Sequence, residues 1–274
     1  MDGQTLPRSY MRLRDCDSHS RTPGVAMLPS MTSITIALRR SAAALAVCSS
    51  TAGAQAIVID VGHSIGHPGA TSAGGISEFQ FNRTLALSIA EELAKSNLRV
   101  RVVGSDGDLD NIPQRTNLEA NASLVVSIHH DSVKPEFLGQ DTTAGDVAPH
   151  TERFSGFALF VSRKNMQINK SLACASAIGR SLRQFGFKPS YYHADPNLGE
   201  GRTFADRNNG VHFFDDLIIL KRATSAAVLL EAGVIVNREE EKLLRSPDTI
   251  SRIAQAVALA VASCIQADAA KRLN

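Results

Sequence analysis

Residues 56–104 read AIVIDVGHSIGHPGATSAGGISEFQFNRTLALSIAEELAKSNLRVRVVG. The stretch opens on a short β-branched run, AIVIDVG (56–62), and closes on another, RVRVVG (99–104). Between them, Ser77 followed by Gln80 has the form of a helix-opening capping box, and Phe81, Leu85, Ile89 and Leu93 recur at helical spacing. Strand, helix and strand in this order imply parallel pairing, with the helix laid across the sheet. The alternation continues outward. A short helix is predicted around 113–121, then strands SLVVSIHH (123–130) and GFALFVS (156–162). A helix to about residue 186 places Ile168, Leu172, Ile178, Leu182 and Phe185 on one face. Strands LIIL (217–220) and AAVLLEAG (226–233) precede a last helix, opened by Ser246 and Pro247 and striped by Ile250, Ile253, Val257, Val261 and Ile265. The fold predicted is α/β: a single domain of about six mostly parallel strands with helices on both faces. Two polar, turn-rich stretches, 132–155 and 188–213, break the rhythm and are candidates for a lid or groove wall.

The full chain has 274 residues, 43% apolar and 20% charged, which is a globular composition. Its formal charge of +2 excludes the basic excess of a general nucleic-acid binder. The charge is unevenly spread. Residues 1–56 hold six basic and three acidic side chains, whereas the remaining 218 carry 23 basic and 24 acidic ones, a formal −1. From Met31 the sequence runs MTSITIALRR, then SAAALAV, then a small-x-small end at Ala54-Gln55-Ala56. That is the layout of a secretory signal peptide, and its apolar run is too short to span a bilayer. The chain is therefore parsed as a leader over 1–56 with its true start at Met27 or Met31, a catalytic domain over 57–267 and a C-terminal tail over 268–274. The expectation is a periplasmic or secreted bacterial protein without a transmembrane anchor. Only Cys174 and Cys264 remain in the mature part, and with no CxxC pair a structural zinc cluster is excluded. The two are expected as buried thiols on separate helices, with a disulfide as the alternative.

In an open α/β sheet, ligands gather beyond the carboxyl ends of the strands. Three chemically able residues end strands here, His63, His129 and Glu231, and Glu78 opens the first long helix. Two imidazoles and a carboxylate are a common catalytic zinc set, leaving the fourth position to water. A further carboxylate outside the ligand set can take that water's proton. The plainer alternatives are a helix-opening Glu favoured by the helix dipole and strand-end histidines acting as polar caps.

At these same residues the chain resembles a known family. IDVGHSIGHPGATSAGGISE is similar to the "DPGHGG-x-DPGA…G-x-x-E" opening of the zinc-dependent N-acetylmuramoyl-L-alanine amidases, the type 3 amidases. LVVSIHHDS resembles their "SIHANA" segment, and VLLEAGVIVNREEE their "vLvE-x-GFlsN-x-xE" segment. The three blocks stand in family order, and the resemblance covers residues 56–266. Carried over by position, it implies Zn2+ held by His63, Glu78 and His129, with Glu231 as the catalytic residue. The implied substrate is peptidoglycan, cleaved between N-acetylmuramic acid and L-alanine of the stem peptide. An activator protein is a possible partner, nucleic acid is not, and the protein is expected as a monomer.

The departures concern loop shape. Val61 stands where the family usually has Pro, and His67 where it has Asp, making His67 an alternative ligand or, preferably, a loop partner. His130 and Asp131 replace small residues after the second metal histidine. Because adjacent residues on a strand point oppositely, only one of His129 and His130 can face a metal, and His129 is the one assigned. In some family members an inserted helix covers the zinc. Here Glu136, Asp141, Asp146 and Glu152 lie in the 132–155 stretch, which reads instead as a substrate-contacting loop. Competing readings are an exported zinc peptidase or other amidohydrolase, and a catalytically inactive wall-binding domain.

Overall fold

The structure, a computed structural model, describes residues 56–96, 98–110, 115, 122–139 and 148–273. The leader up to residue 55 and most of the helix expected at 113–121 lie outside these residues. Seven strands form one mixed sheet: β1 (Ala56–Val61), β2 (Arg99–Val103), β3 (Leu124–Asp131), β4 (Ala158–Val161), β5 (Phe204–Asp206), β6 (Val211–Phe213) and β7 (Ala226–Val234). They lie in the order β2-β1-β3-β7-β4-β6-β5. The half built from β2, β1, β3 and β7 is parallel throughout, whereas β4 runs antiparallel to β7 and β5 antiparallel to β6.

Alternation along the strands sorts the core into two layers. Ile57, Ile59 and Val61 on β1 and Leu124, Val126 and Ile128 on β3 face one side. There they meet α1 (Glu78–Ala94), α2 (Ile168–Gln184) and α5 (Pro247–Leu273). Val58, Val125 and Leu229 face the other side and pack with Phe160, Ile219 and Leu220. α5 is apolar enough over Pro247–Asp268 to cross a membrane by length and composition. Its stripe of Ile253, Val257, Val261 and Ile265 is instead spent on the core against α1 and α2.

The α/β expectation holds, with three local corrections. LIIL is not a strand. Residues Ile218–Arg222 form a short helix, α3, with Ile219 and Leu220 buried under the sheet. A four-residue apolar run carries no periodicity that separates strand from helix. The tertiary context decides, because Asn165 Nδ2 donates to the carbonyls of Leu220 and Ala223 at 2.8 and 3.2 Å. Nor is 188–213 all loop: β5 and β6 lie within it, joined by the turn Arg207–Asn209 and by Gly210 at φ +69°. Finally, Ser77 occupies the N-cap of α1 but makes no side-chain cap bond. The orphan amides of Glu78 and Phe79 donate to the carbonyls of Ala70 and Pro68 at 2.8 and 3.0 Å, so the preceding loop caps the helix.

Cys174 and Cys264 do sit on separate helices, α2 and α5, but they are joined as a disulfide with a Cα separation of 5.4 Å. The correction follows from packing: helical spacing buries Cys174 and half-buries Cys264 against the core, while only the side-by-side contact of α2 with α5 brings them within bonding range. The bridge closes a sequence separation of 90 residues. Loop-closure entropy for such a length is about 4.5 kcal/mol. A Cys174→Ala/Cys264→Ala variant is expected to lose a few kcal/mol in denaturant unfolding, and reductant should lower wild-type stability by a similar amount without affecting the variant.

Candidate metal centre

The carboxyl ends of β1, β3 and β7 meet the N-terminus of α1. One ligand atom each from His63, Glu78 and His129 lies within 4.8 Å of the other two. The buried Glu78 carboxylate spans the two imidazoles, with His63 Nε2 3.0 Å from Oε2 and His129 Nδ1 3.0 Å from Oε1. Burial alone would raise the Glu78 pKa, but hydrogen bonds from His129 and His63 hold it well below the usual carboxylate range. Ligands around one tetrahedral zinc, at about 2.0–2.1 Å each, stand roughly 3.3 Å apart, close to the spacing seen here. The donor set and its convergence both fit zinc.

The surrounding backbone is shaped for this closeness. His63 has φ +68°, a left-handed conformation that is unusual for a residue other than glycine. The Arg115 guanidinium holds it there, donating to the carbonyls of His63, Val61 and Leu109 and to Asp60 Oδ1 at 2.8 Å. Asp60 Oδ2 in turn accepts from Ser127 Oγ at 2.6 Å. Two glycines leave room. A Cβ on Gly62 would lie 2.4 Å from the His129 ring, and one on Gly69, at φ +76°, 2.4 Å from Glu78 Oε2. Gly69→Ala is therefore expected to displace Glu78 and weaken metal binding at least tenfold, as read by chelator competition.

Glu231 lies directly across from His129 in the β3–β7 register, so the two side chains leave the same face of the sheet. Its Oε2 is buried and has no hydrogen-bond partner. Burial, and then the nearby carboxylates of Asp131, Glu78 and Glu200, push its pKa well above the ordinary value. Beside these residues opens a cavity of about 550 Å3, walled by Leu109, Phe214, Leu217 and Ile219 and bordered by His63 and His129.

The four residues selected from strand ends and the helix start thus gather in one place. His130 turns to the opposite face of β3, where its ring meets Phe81 of α1 at 5.4 Å between centroids. His67 is not in the cluster; it closes the loop through its backbone, its amide donating to Ser64 Oγ at 3.0 Å and its carbonyl accepting from the Ser64 amide at 3.2 Å. Glu152 pairs with Arg238 at 2.9 Å, and Glu136 lies exposed in a single turn of 3-10 helix. Asp141 and Asp146 fall outside the described residues.

Three supporting groups were not read from the sequence. Asn82 stands one helical turn after Glu78 and donates to it at 3.1 Å, a relation its i+4 spacing could have signalled. Arg115 left no local signal. The third is the pair Tyr192 and His193, both from the 188–213 stretch. Tyr192 donates to Asp131 Oδ2 at 2.5 Å, and His193 bridges Asp131 at 2.9 Å and Glu200 at 3.1 Å. Burial would lower the His193 pKa, but Asp131 and then Glu200 push it up to about 9. A raised folded-state pKa favours the folded protein below the free imidazole value of about 6.5, and that contribution, about 3 kcal/mol, disappears as pH rises through 9. His193→Gln should consequently lower the melting temperature markedly at pH 6 and much less at pH 10, as followed by thermal melts across that range.

Residues 57–263 match the protein family described as N-acetylmuramoyl-L-alanine amidase. Several solved structures share the fold. An N-acetylmuramoyl-L-alanine amidase from Clostridium difficile 630 is 20% identical, with a TM-score of 0.60 over 78% of this chain and 97% of its own. Ami1, an N-acetylmuramyl-L-alanine amidase from Mycobacterium smegmatis, is also 20% identical, with a TM-score of 0.61 over 78% and 97%. The CwlD amidase from Clostridioides difficile, solved in complex with the GerS lipoprotein, is 20% identical with a TM-score of 0.59 over 78% and 99%. No curated protein sequence matches the chain. The chain belongs to the N-acetylmuramoyl-L-alanine amidase family. It is an amidase of peptidoglycan, the hydrolase activity from which that family takes its name.

Proposed function

We propose that this amidase is a zinc enzyme in which His63, Glu78 and His129 hold the metal and Glu231 is the catalytic carboxylate. One observation carries the reading. The only three-ligand His, Cys, Asp or Glu cluster among the described residues lies beside a carboxylate whose Oε2 is buried and unpartnered, across one strand pair. Zinc at such a site, when bound, polarises the scissile carbonyl and brings the pKa of water down to about 7. Glu231 accepts the proton of the attacking water, holds it in a setting that favours its neutral form, and passes it to the departing nitrogen as the C–N bond breaks. The products are the lactyl carboxylate on the glycan and the free amine of L-alanine. Asn82 and the Ala70 amide orient Glu78 at 3.1 and 3.2 Å, and Arg115 fixes the loop that carries His63.

The leader over 1–56, read as a signal peptide, fits export of the domain over 57–267. Export to the periplasm or beyond agrees with a disulfide in the core and with a substrate outside the cytoplasm. All four site residues come from one chain, so the site needs no residue from a second copy, and a monomer is the state proposed. A protein partner, such as the lipoprotein in the CwlD complex, is a further element that an assay with purified enzyme alone would remove by showing full activity.

Digestion of purified cell wall followed by mass spectrometry is expected to show intact stem peptides released with a free L-alanine amine, and no release after chelation. Shortened stem peptides would overturn the assignment in favour of a peptidase. Glu231→Ala should retain one zinc per chain and lose activity by at least 1,000-fold. His63→Ala and Glu78→Ala should lose the zinc itself, measured by elemental analysis. Full activity in the Glu231 variant would remove it from the catalytic role.

A further inference from the structure

The face of β3 opposite the metal cluster carries a second buried histidine that the chemistry above does not use. His130 is 3% exposed, and its Nδ1 lies 2.8 Å from Asn82 Oδ1. Asn82, fully buried, turns its other end to the metal side, where Nδ2 donates to the Gly62 carbonyl and to Glu78 Oε1, both at 3.1 Å. The two acceptors leave only one orientation for the amide: Nδ2 faces them and Oδ1 faces His130. His130 Nδ1 must then carry the hydrogen and donate it to Oδ1. Resting on the zinc reading of the site, we propose that His130 is a positioning residue for the metal, acting through Asn82 to fix the Glu78 carboxylate between His63 and His129.

The physical case lies in what its loss leaves behind. Without a donor at position 130, the Asn82 carbonyl oxygen is buried with no partner, which destabilises that arrangement. The amide relieves this by rotating, and the rotation withdraws Nδ2 from Glu78. The small residue found here in the resembling family motif offers no such donor. A neighbouring hollow of about 230 Å3 between α1 and the α4–α5 region, α4 being Arg238–Leu244, is lined by His130, Gln80, Phe81 and Arg245. Truncation at His130 would therefore enlarge an existing opening rather than collapse the core.

The test compares His130→Leu, which fills the volume without a donor, with His130→Gln, which supplies one. The readout is zinc affinity by chelator competition, measured beside the melting temperature of the metal-free proteins. His130→Leu is expected to bind zinc at least tenfold more weakly than wild type, and His130→Gln to recover to within about threefold. In an Asn82→Ala background the same His130→Leu change should alter zinc affinity less than twofold, because the connection is already cut. The proposal is overturned if His130→Leu binds zinc as wild type does, if Leu and Gln lose zinc equally, or if the loss persists undiminished without Asn82. Failure of the zinc reading itself shows differently, as absence of stoichiometric zinc in the wild-type enzyme.

Discussion

A single buried carboxylate organises this molecule's active end. Glu78 sits at the first turn of α1, and its two oxygens reach His63 beyond β1 and His129 on β3. A charge taken out of water is tolerated only when it is paired and hydrogen-bonded. The fold supplies those partners from four places at once: an imidazole just beyond β1, another near the end of β3, the Ala70 amide from the loop, and Asn82 from the helix itself. Most of the unusual local geometry follows from that demand. The loop 62–77 must fold back to cap α1, His63 must adopt a left-handed backbone, and Gly62 and Gly69 must lack side chains.

What was legible in the sequence divides along the same line. Residues that take their place from periodic secondary structure are legible there: His63, His129 and Glu231 stand at or near the carboxyl ends of β1, β3 and β7, and Glu78 stands where a helix begins. Residues whose role depends on a contact distant in sequence are not. Arg115 reaches Asp60 across 55 positions, His193 reaches Asp131 across 62, and the disulfide joins residues separated by 90. The misreadings have a related origin. LIIL and the three-residue strands β5 and β6 are too short for their own pattern to determine their state, so neighbours decide it. Capping by Ser77 failed for the converse reason, because backbone carbonyls of the preceding loop had already met the helix amides.

Strand alternation makes the adjacent pair His129 and His130 into two different instruments. His129 leaves β3 on the face it shares with Ser127, Glu231 and the open cavity, where a ligand can reach it. His130 leaves on the face packed by α1, where it meets Phe81 and Asn82. There burial holds its pKa down to about 3, so it remains a neutral hydrogen-bonding group across the ordinary pH range. One residue of register thus separates a group that borders the open cavity from one enclosed in the core, and a slip of the strand would exchange them.

The charge balance at this end of the sheet bears on the proposed metal. Burial raises the Glu231 pKa, and the carboxylates of Asp131, Glu78 and Glu200 raise it further. Only part of the negative charge is answered by the protein. His193 neutralises the Asp131 and Glu200 side, and Arg202 stands 3.4 Å from Glu200. On the other side, Glu78 meets the His63 and His129 imidazoles and the neutral donors of Ala70 and Asn82, with no Lys or Arg among the described residues facing it. A divalent ion bound there would take both imidazoles in their neutral form and answer the Glu78 charge directly. In the proposed zinc enzyme the same ion would relieve the repulsion that Glu78 exerts on Glu231, favouring the proton exchange proposed for Glu231.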